Sequence, residues 1–199
     1  TSPVPVTIIG IGPIPGVARA LERAPDIAAK CRFVGMFGSV DRGYGPGSTP
    51  IAETNVRVNV EAARTVLSAA WRDTLITPLD TCDDVVLSGD NYQRVFNSDD
   101  PVVKALIENY RVWAELVTWM KVDFFDEKSS TLFDCAAVYL AYATDYAQIE
   151  NMKLRITDDG MTVRDEENGF SIRVAMRWHD IDGFHDHLTE RLLNGELPS

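Results

Sequence analysis

Basic residues are in short supply. Lys and Arg number 19 against 30 Asp and Glu, and the formal net charge of the 199-residue chain is −11. That balance argues against binding nucleic acid or an anionic membrane through a basic face. It leaves neutral and cationic small ligands open. Cysteine is also scarce: Cys31, Cys82 and Cys135 form an odd, scattered set without a C-x-x-C spacing. Such a set suits reduced thiols in the cytoplasm better than a disulfide framework. No apolar run approaches the ~18 residues of a membrane span, and no secretory signal is visible. Neither nucleic acid nor membrane is therefore expected as a partner. Repeats, low-complexity tracts and linkers are missing too, so 1–199 reads as one domain, long enough to bury a core. The chain opens without Met, and Thr1-Ser2-Pro3-Val4-Pro5 leads straight into an apolar stretch. The expectation is an N-terminally incomplete chain.

What is there reads as α/β. Val6 to Gly12 is a short, β-branched apolar run, the pattern of a strand buried on both faces of a parallel sheet. Pro13, Pro15 and Gly16 make its exit turn. Val17 to Lys30 follows as a helix broken at Pro25. Arg32 to Gly38 is a second buried strand, Val60 to Ala70 a helix capped by Asn59, and Asp73 to Pro78 a third strand. Strand alternating with helix predicts a parallel or mixed central sheet flanked by helices, with ligands at the carboxyl ends of the strands. Further on, helices are predicted over 88–96, 101–120 and 132–142. The 101–120 helix carries Val102, Leu106, Tyr110, Trp113, Leu116, Val117 and Met120. Strands over 152–156, 161–164 and 171–178 form an antiparallel set with turns at 158–160 and 167–169. Ile181 to Leu193 closes as a helix stopped by Gly195.

Several groups carry chemistry. Glu53 and Asn55 lie two apart in a polar loop over Gly47–Asn55. If extended, that spacing puts both side chains on one side, where a carboxylate and an amide can grip a vicinal diol. The alternative is a solvated loop with a helix cap nearby. Gly10-Ile11-Gly12-Pro13-Ile14-Pro15-Gly16 follows a strand but is neither G-x-G-x-x-G nor a Walker A. It is a tight turn, or a turn whose freed carbonyls face a ligand or cation. Asp134, at the mouth of an apolar helix, is a cap or a ligand for a hard cation. His179, His185 and His187 read as solvated surface residues, Cys135 as a small buried apolar residue, and Trp113 and Trp119 as core or interface.

Six segments then fall in register: Thr7–Ala18 (TIIGIGPIPGVA), Phe33–Gly38 (FVGMFG), Thr49–Asn55 (TPIAETN), Glu61-Ala62-Ala63, Pro78-Leu79-Asp80 and Phe133–Ala137 (FDCAA). Their order and spacing resemble the calcium-dependent nucleoside hydrolases of the inosine-uridine-preferring type. The resemblance covers nearly the whole chain. It implies the nucleoside hydrolase fold with its Rossmann-like core, lacking the N-terminal strands, and cleavage of a ribonucleoside to ribose and free base. It implies Glu53, Asn55, Met36 and Ser48 (the last at a position usually Asn) as ribose-binding residues. Asp134 and the Pro15 backbone carbonyl map onto calcium ligands. Phe133 stands where some members carry His and others Trp, so it implies stacking on the leaving base rather than acid catalysis. A homo-oligomer is also implied, without a fixed number of subunits. The family's D-x-D-x-x-x-D-D motif, which supplies most calcium ligands and the general base, has no counterpart in the sequence. Two readings follow: an enzyme whose Asp-rich segment is not in this chain, or a non-catalytic nucleoside- or sugar-binding relative or assembly subunit.

Overall fold

The computed structural model describes residues 5–195, so the opening Thr1–Val4 segment lies outside the described residues. In chain order the elements are β1 (Val6–Gly10), α1 (Pro15–Arg23), α2 (Asp26–Lys30), β2 (Cys31–Met36), α3 (Thr54–Arg57), α4 (Val60–Leu67), β3 (Asp73–Thr77) and α5 (Leu79–Cys82). They continue with α6 (Gly89–Phe96), α7 (Pro101–Leu116), α8 (Phe133–Leu140), β4 (Ala147–Ile156), β5 (Thr162–Arg164), β6 (Phe170–Trp178) and α9 (Ile181–Asn194). Among the described residues they sort into two compact units, one within 5–84 and 133–179, the other within 85–132 and 180–195.

The first unit holds a six-stranded sheet in the order β1-β2-β3-β6-β4-β5. β1, β2, β3 and β6 run parallel, and β4 is antiparallel to both β6 and β5. The expected antiparallel set is thus joined to the parallel strands through Leu75↔Arg173 and Ile76↔Val174. Central strands are buried because their β-branched and aromatic residues point into helices on one side or the other. Phe33, Val34, Leu75 and Ile76 are all fully enclosed. Trp71 stacks on Phe33 at 5.3 Å and donates its indole N–H to the Val66 carbonyl at 2.6 Å. Burying the indole this way leaves no donor unsatisfied.

Four expectations need correction here. β1 is not buried on both faces: it is the last strand of the sheet, and Val6 and Ile9 remain 46% and 41% exposed. A β-branched run reports strand propensity, not the number of neighbours. Second, Pro15 and Gly16 do not finish a turn. Pro15 is the first residue of α1, where its missing N–H costs nothing and its fixed φ suits the helix. Third, β4 starts at Ala147, five residues before Met152: its first half is mostly open and carries a bulge at Gln148/Ile149, so it shows no apolar alternation to read. Fourth, Glu53 and Asn55 do not lie in an extended segment, as described below.

The second unit is helical. Its core gathers Leu87, Tyr92, Val95 and Val103, with Tyr110 and Leu192 packed against it. α7 ends at Leu116, earlier than expected, and only Val103 on it is buried. Val102, Leu116 and, beyond the helix, Trp119 stand largely in solvent, Trp119 being 75% exposed. His185 and His187 are half-buried rather than solvated, since both lie on α9 beside the buried Phe184.

Candidate functional site

The site is built where β2 and β3 end. β2 exits through Phe37 and Gly38, whose backbone still follows β3: Phe37 N–H donates to the Thr77 carbonyl, and the Leu79 N–H donates to the Gly38 carbonyl at 2.9 Å. Gly38 sits at φ +90°, and a β-carbon there would meet the Thr162 hydroxyl at 2.9 Å. Only glycine turns the chain in that space. The polar loop that follows is stapled to α5 and the residues after it. Asp80 accepts from the Val40 and Asp41 N–H groups at 2.9 and 2.7 Å. Asp83 accepts from Gly45 N–H at 2.7 Å, and Arg42 reaches the Leu79 carbonyl and Asp84. The sequence singles out Asp80 within Pro78-Leu79-Asp80 but assigns none of these acidic residues a part in holding the loop. Three carboxylates in five residues after a strand, opposite a loop with Gly43, Gly45 and Gly47, were the available signal.

Glu53 ends this loop. It is 1% exposed and is the N-cap of α3. One carboxylate oxygen accepts from Asn55 N–H at 2.7 Å, the other from Gly38 N–H at 3.1 Å and Val56 N–H at 3.3 Å. An extended pair therefore gives way to a cap: α3's first N–H groups need an acceptor, and Glu53 turns inward to supply it. Burial raises the Glu53 pKa, the three N–H donors oppose the rise, and the charge of Asp134 adds to it. A carboxylate offers about four lone-pair directions; three are taken, which leaves one free on the oxygen facing Asn55.

Asn55 lies in the first turn of α3. Its amide N–H donates to the Met36 carbonyl at 3.0 Å and reaches the Met36 sulfur at 3.2 Å. Glu53, Asn55 and Met36 are thus brought together. Ser48 spends its hydroxyl proton on the Gly45 carbonyl at 2.7 Å, closing a turn within the loop. From α8 come Phe133 and Asp134. The Phe133 ring meets Tyr44 edge to face, with centroids 5.7 Å apart and planes at 77°. Asp134 is half-buried, and burial alone raises its pKa. Among the described residues no hydrogen bond or ion pair reaches its carboxylate. Cys82 is fully buried nearby, and its thiol is pushed far up by burial and then by the charges of Glu53, Asp83 and Asp134. It has no thiolate to offer as a nucleophile. Cys135 is half-buried, its thiol raised to about 11 by burial. Pro15 stands at the carboxyl end of β1, its carbonyl within the first turn of α1.

A metal fits this set poorly. Calcium takes ~6–8 oxygens. Asp134 is available, but Glu53 is largely occupied by backbone donors, and among the described residues no group of three His, Cys, Asp or Glu could hold a metal.

A parallel-sheet edge that gathers carboxylates, an amide and an aromatic ring is where an α/β protein takes a small polar ligand. The chain belongs to the inosine-uridine preferring nucleoside hydrolase family, whose model matches residues 1–186. It is similar to the non-specific ribonucleoside hydrolase RihC of Salmonella paratyphi B, 33% identical over 113 residues, which cover 55% of this chain and 36% of RihC. The chain thus matches about a third of that relative's length. Its fold is that of the plant nucleoside hydrolase PpNRh1 (TM-score 0.76, 21% identity, covering 94% of this chain and 61% of that one). It is also that of a purine-preferring ribonucleoside hydrolase from Gardnerella vaginalis (TM-score 0.72, 18% identity, covering 94% and 60%). Among the described residues no helix is long and apolar enough to cross a membrane.

Proposed function

We propose that this chain carries the ribose- and base-binding half of a ribonucleoside hydrolase, with ribonucleoside as substrate and ribose and free base as products. The observation that carries the reading is the convergence of Glu53, Asn55 and Met36 with Phe133 and Asp134 at one sheet edge. The free lone pair of Glu53 accepts one ribose hydroxyl proton. The Asn55 side-chain oxygen accepts another, since only its N–H side is spent on Met36. Met36 supplies an apolar contact beneath the sugar, and Ser48 keeps hydroxyl lone pairs for a ribose hydroxyl. Phe133 stacks on the base but has no proton to give it.

In hydrolysis the bond from the anomeric carbon to the base nitrogen breaks, the base leaves with the electron pair, the hydroxyl of water adds to the carbon, and the remaining proton of that water ends on the base nitrogen. Positive charge builds on the ribosyl group meanwhile. Glu53 and Asp134 place negative charge at that edge and stabilise the charge as it forms. Asp134 is the ligand this chain would offer to a calcium ion. The described residues do not complete such a site, so no step is derived through one. Base preference is not carried over, because the relatives named above differ in it. A homo-oligomer in the cytoplasm is part of the same reading.

Reducing sugar released from inosine tests it, measured for this chain alone and with an Asp-rich segment placed ahead of it. Negligible release alone and turnover with the added segment is the expected result. Calorimetry with ribose and inosine separates binding from turnover. Binding without turnover in both forms would favour the non-catalytic relative. No binding of either ligand would remove the reading altogether.

A further inference from the structure

We infer that Tyr44 contacts the base at this site, forming with Phe133 a corner of two rings that receives the base of a bound ribonucleoside. The inference rests on the ribonucleoside reading above and adds a residue to it. Tyr44 lies on the polar loop, 89 positions before Phe133, and no pattern in the sequence pairs them. In the fold their rings meet at 5.7 Å with planes at 77°. A planar base lying flat on one ring then presents its edge to the other, so the pair reads both the stacking face and the width of the base.

Three further observations support the role. Tyr44 remains 46% exposed, so much of its surface is open to a ligand despite the contact with Phe133. Its hydroxyl lies 3.4 Å from the Thr54 hydroxyl, and Thr54 stands between the two residues assigned to ribose, Glu53 and Asn55. The hydroxyl end of the ring thus lies beside the start of α3, while the ring itself meets Phe133. Finally, the backbone on both sides is held: Arg42 donates to the Leu79 carbonyl and to Asp84, and Gly45 N–H donates to Asp83. A ring on a clamped loop loses little freedom when a base stacks on it, which favours selective binding.

The test is calorimetric titration of the whole chain with inosine and, separately, with ribose, for wild type, Tyr44→Ala, Tyr44→Leu and Tyr44→Phe. Base–aromatic stacking predicts that Tyr44→Ala and Tyr44→Leu raise the inosine Kd about tenfold. Ribose affinity should stay at the wild-type value, and Tyr44→Phe should hold inosine within about twofold, since the ring and not the hydroxyl carries the contact. Unchanged inosine affinity in Tyr44→Ala and Tyr44→Leu would overturn the inference. So would an equal loss for ribose and inosine, which would mean that the loop had simply moved. A loss in Tyr44→Phe as large as in Tyr44→Ala would overturn the ring's role. Wild-type protein that binds neither ligand would instead bring down the ribonucleoside reading itself.

Discussion

Glu53 and Asp134 are carboxylates of one sheet edge, and burial raises the pKa of both. Their surroundings nevertheless differ. Glu53 is enclosed and takes three backbone N–H groups from the β2 exit and the start of α3. Asp134 stands half-buried in the first turn of α8, and among the described residues burial is the one cause of its shift. One carboxylate builds the loop, and the other stays half-open to solvent. Buried polar groups are normally satisfied within the fold. Asp134, being only half-buried, can instead take its partners from water or from a ligand.

The contrast breaks most visibly at Glu53. Glu53→Ala leaves the N–H groups of Gly38, Asn55 and Val56 without their acceptor and empties an enclosed space. The loss is about 3 kcal/mol, combining a cap with buried donors left unmade. For a chain of this size that lowers Tm by roughly 6–12 °C in a thermal melt. Glu53→Gln keeps an acceptor and should lose about half as much. A Glu53→Ala melt equal to wild type would mean that water replaces the carboxylate and that Glu53 holds nothing in place.

Asn55→Ala is the intermediate case. It removes the N–H that ties α3 to the Met36 carbonyl, at a cost of about 1 kcal/mol, or roughly 2–4 °C. The α3 backbone and its cap stay in place. Ribose affinity should therefore fall by more than the small stability change suggests, as calorimetry on the folded variant would reveal.

Much of this edge could be read from residues alone, and the unread part has a common cause. The buried runs Phe33-Val34 and Leu75-Ile76 announce parallel strands because burial on both faces leaves no polar alternation to confuse them. Asn59 is a preferred cap residue, and it does accept from Ala62 N–H. Glu53 was harder: Glu is not a favoured cap, and its acceptor role depends on Gly38, 15 positions away. Asp80 and Asp83 act on backbone about 40 positions away, a pairing that only the crossover from β2 to β3 creates. The apolar face of α7 misled in the opposite sense. Hydrophobic spacing gives a helix, but not what lies opposite it. Val6 and Ile9 in β1 fail for the same reason.

Asp134→Asn should affect stability least, and in the opposite direction to Glu53→Ala. The folded chain holds the Asp134 proton above the ordinary value of 3.8, so it binds more protons than the unfolded chain in that range. The stabilisation from this group is fully present below that value and is lost as pH rises through the folded pKa. At neutral pH the ionised carboxylate is a net cost, and Asn removes it. Melts compared from about pH 4 to about pH 7 should show Asp134→Asn gaining on wild type as pH rises. Calcium sharpens the point. With one available carboxylate, millimolar calcium should shift the wild-type Tm by less than about 1 °C, because a ligand stabilises only in proportion to its occupancy. A shift of several degrees that disappears in Asp134→Asn would mean that this chain already contains the cation site its described side chains leave incomplete.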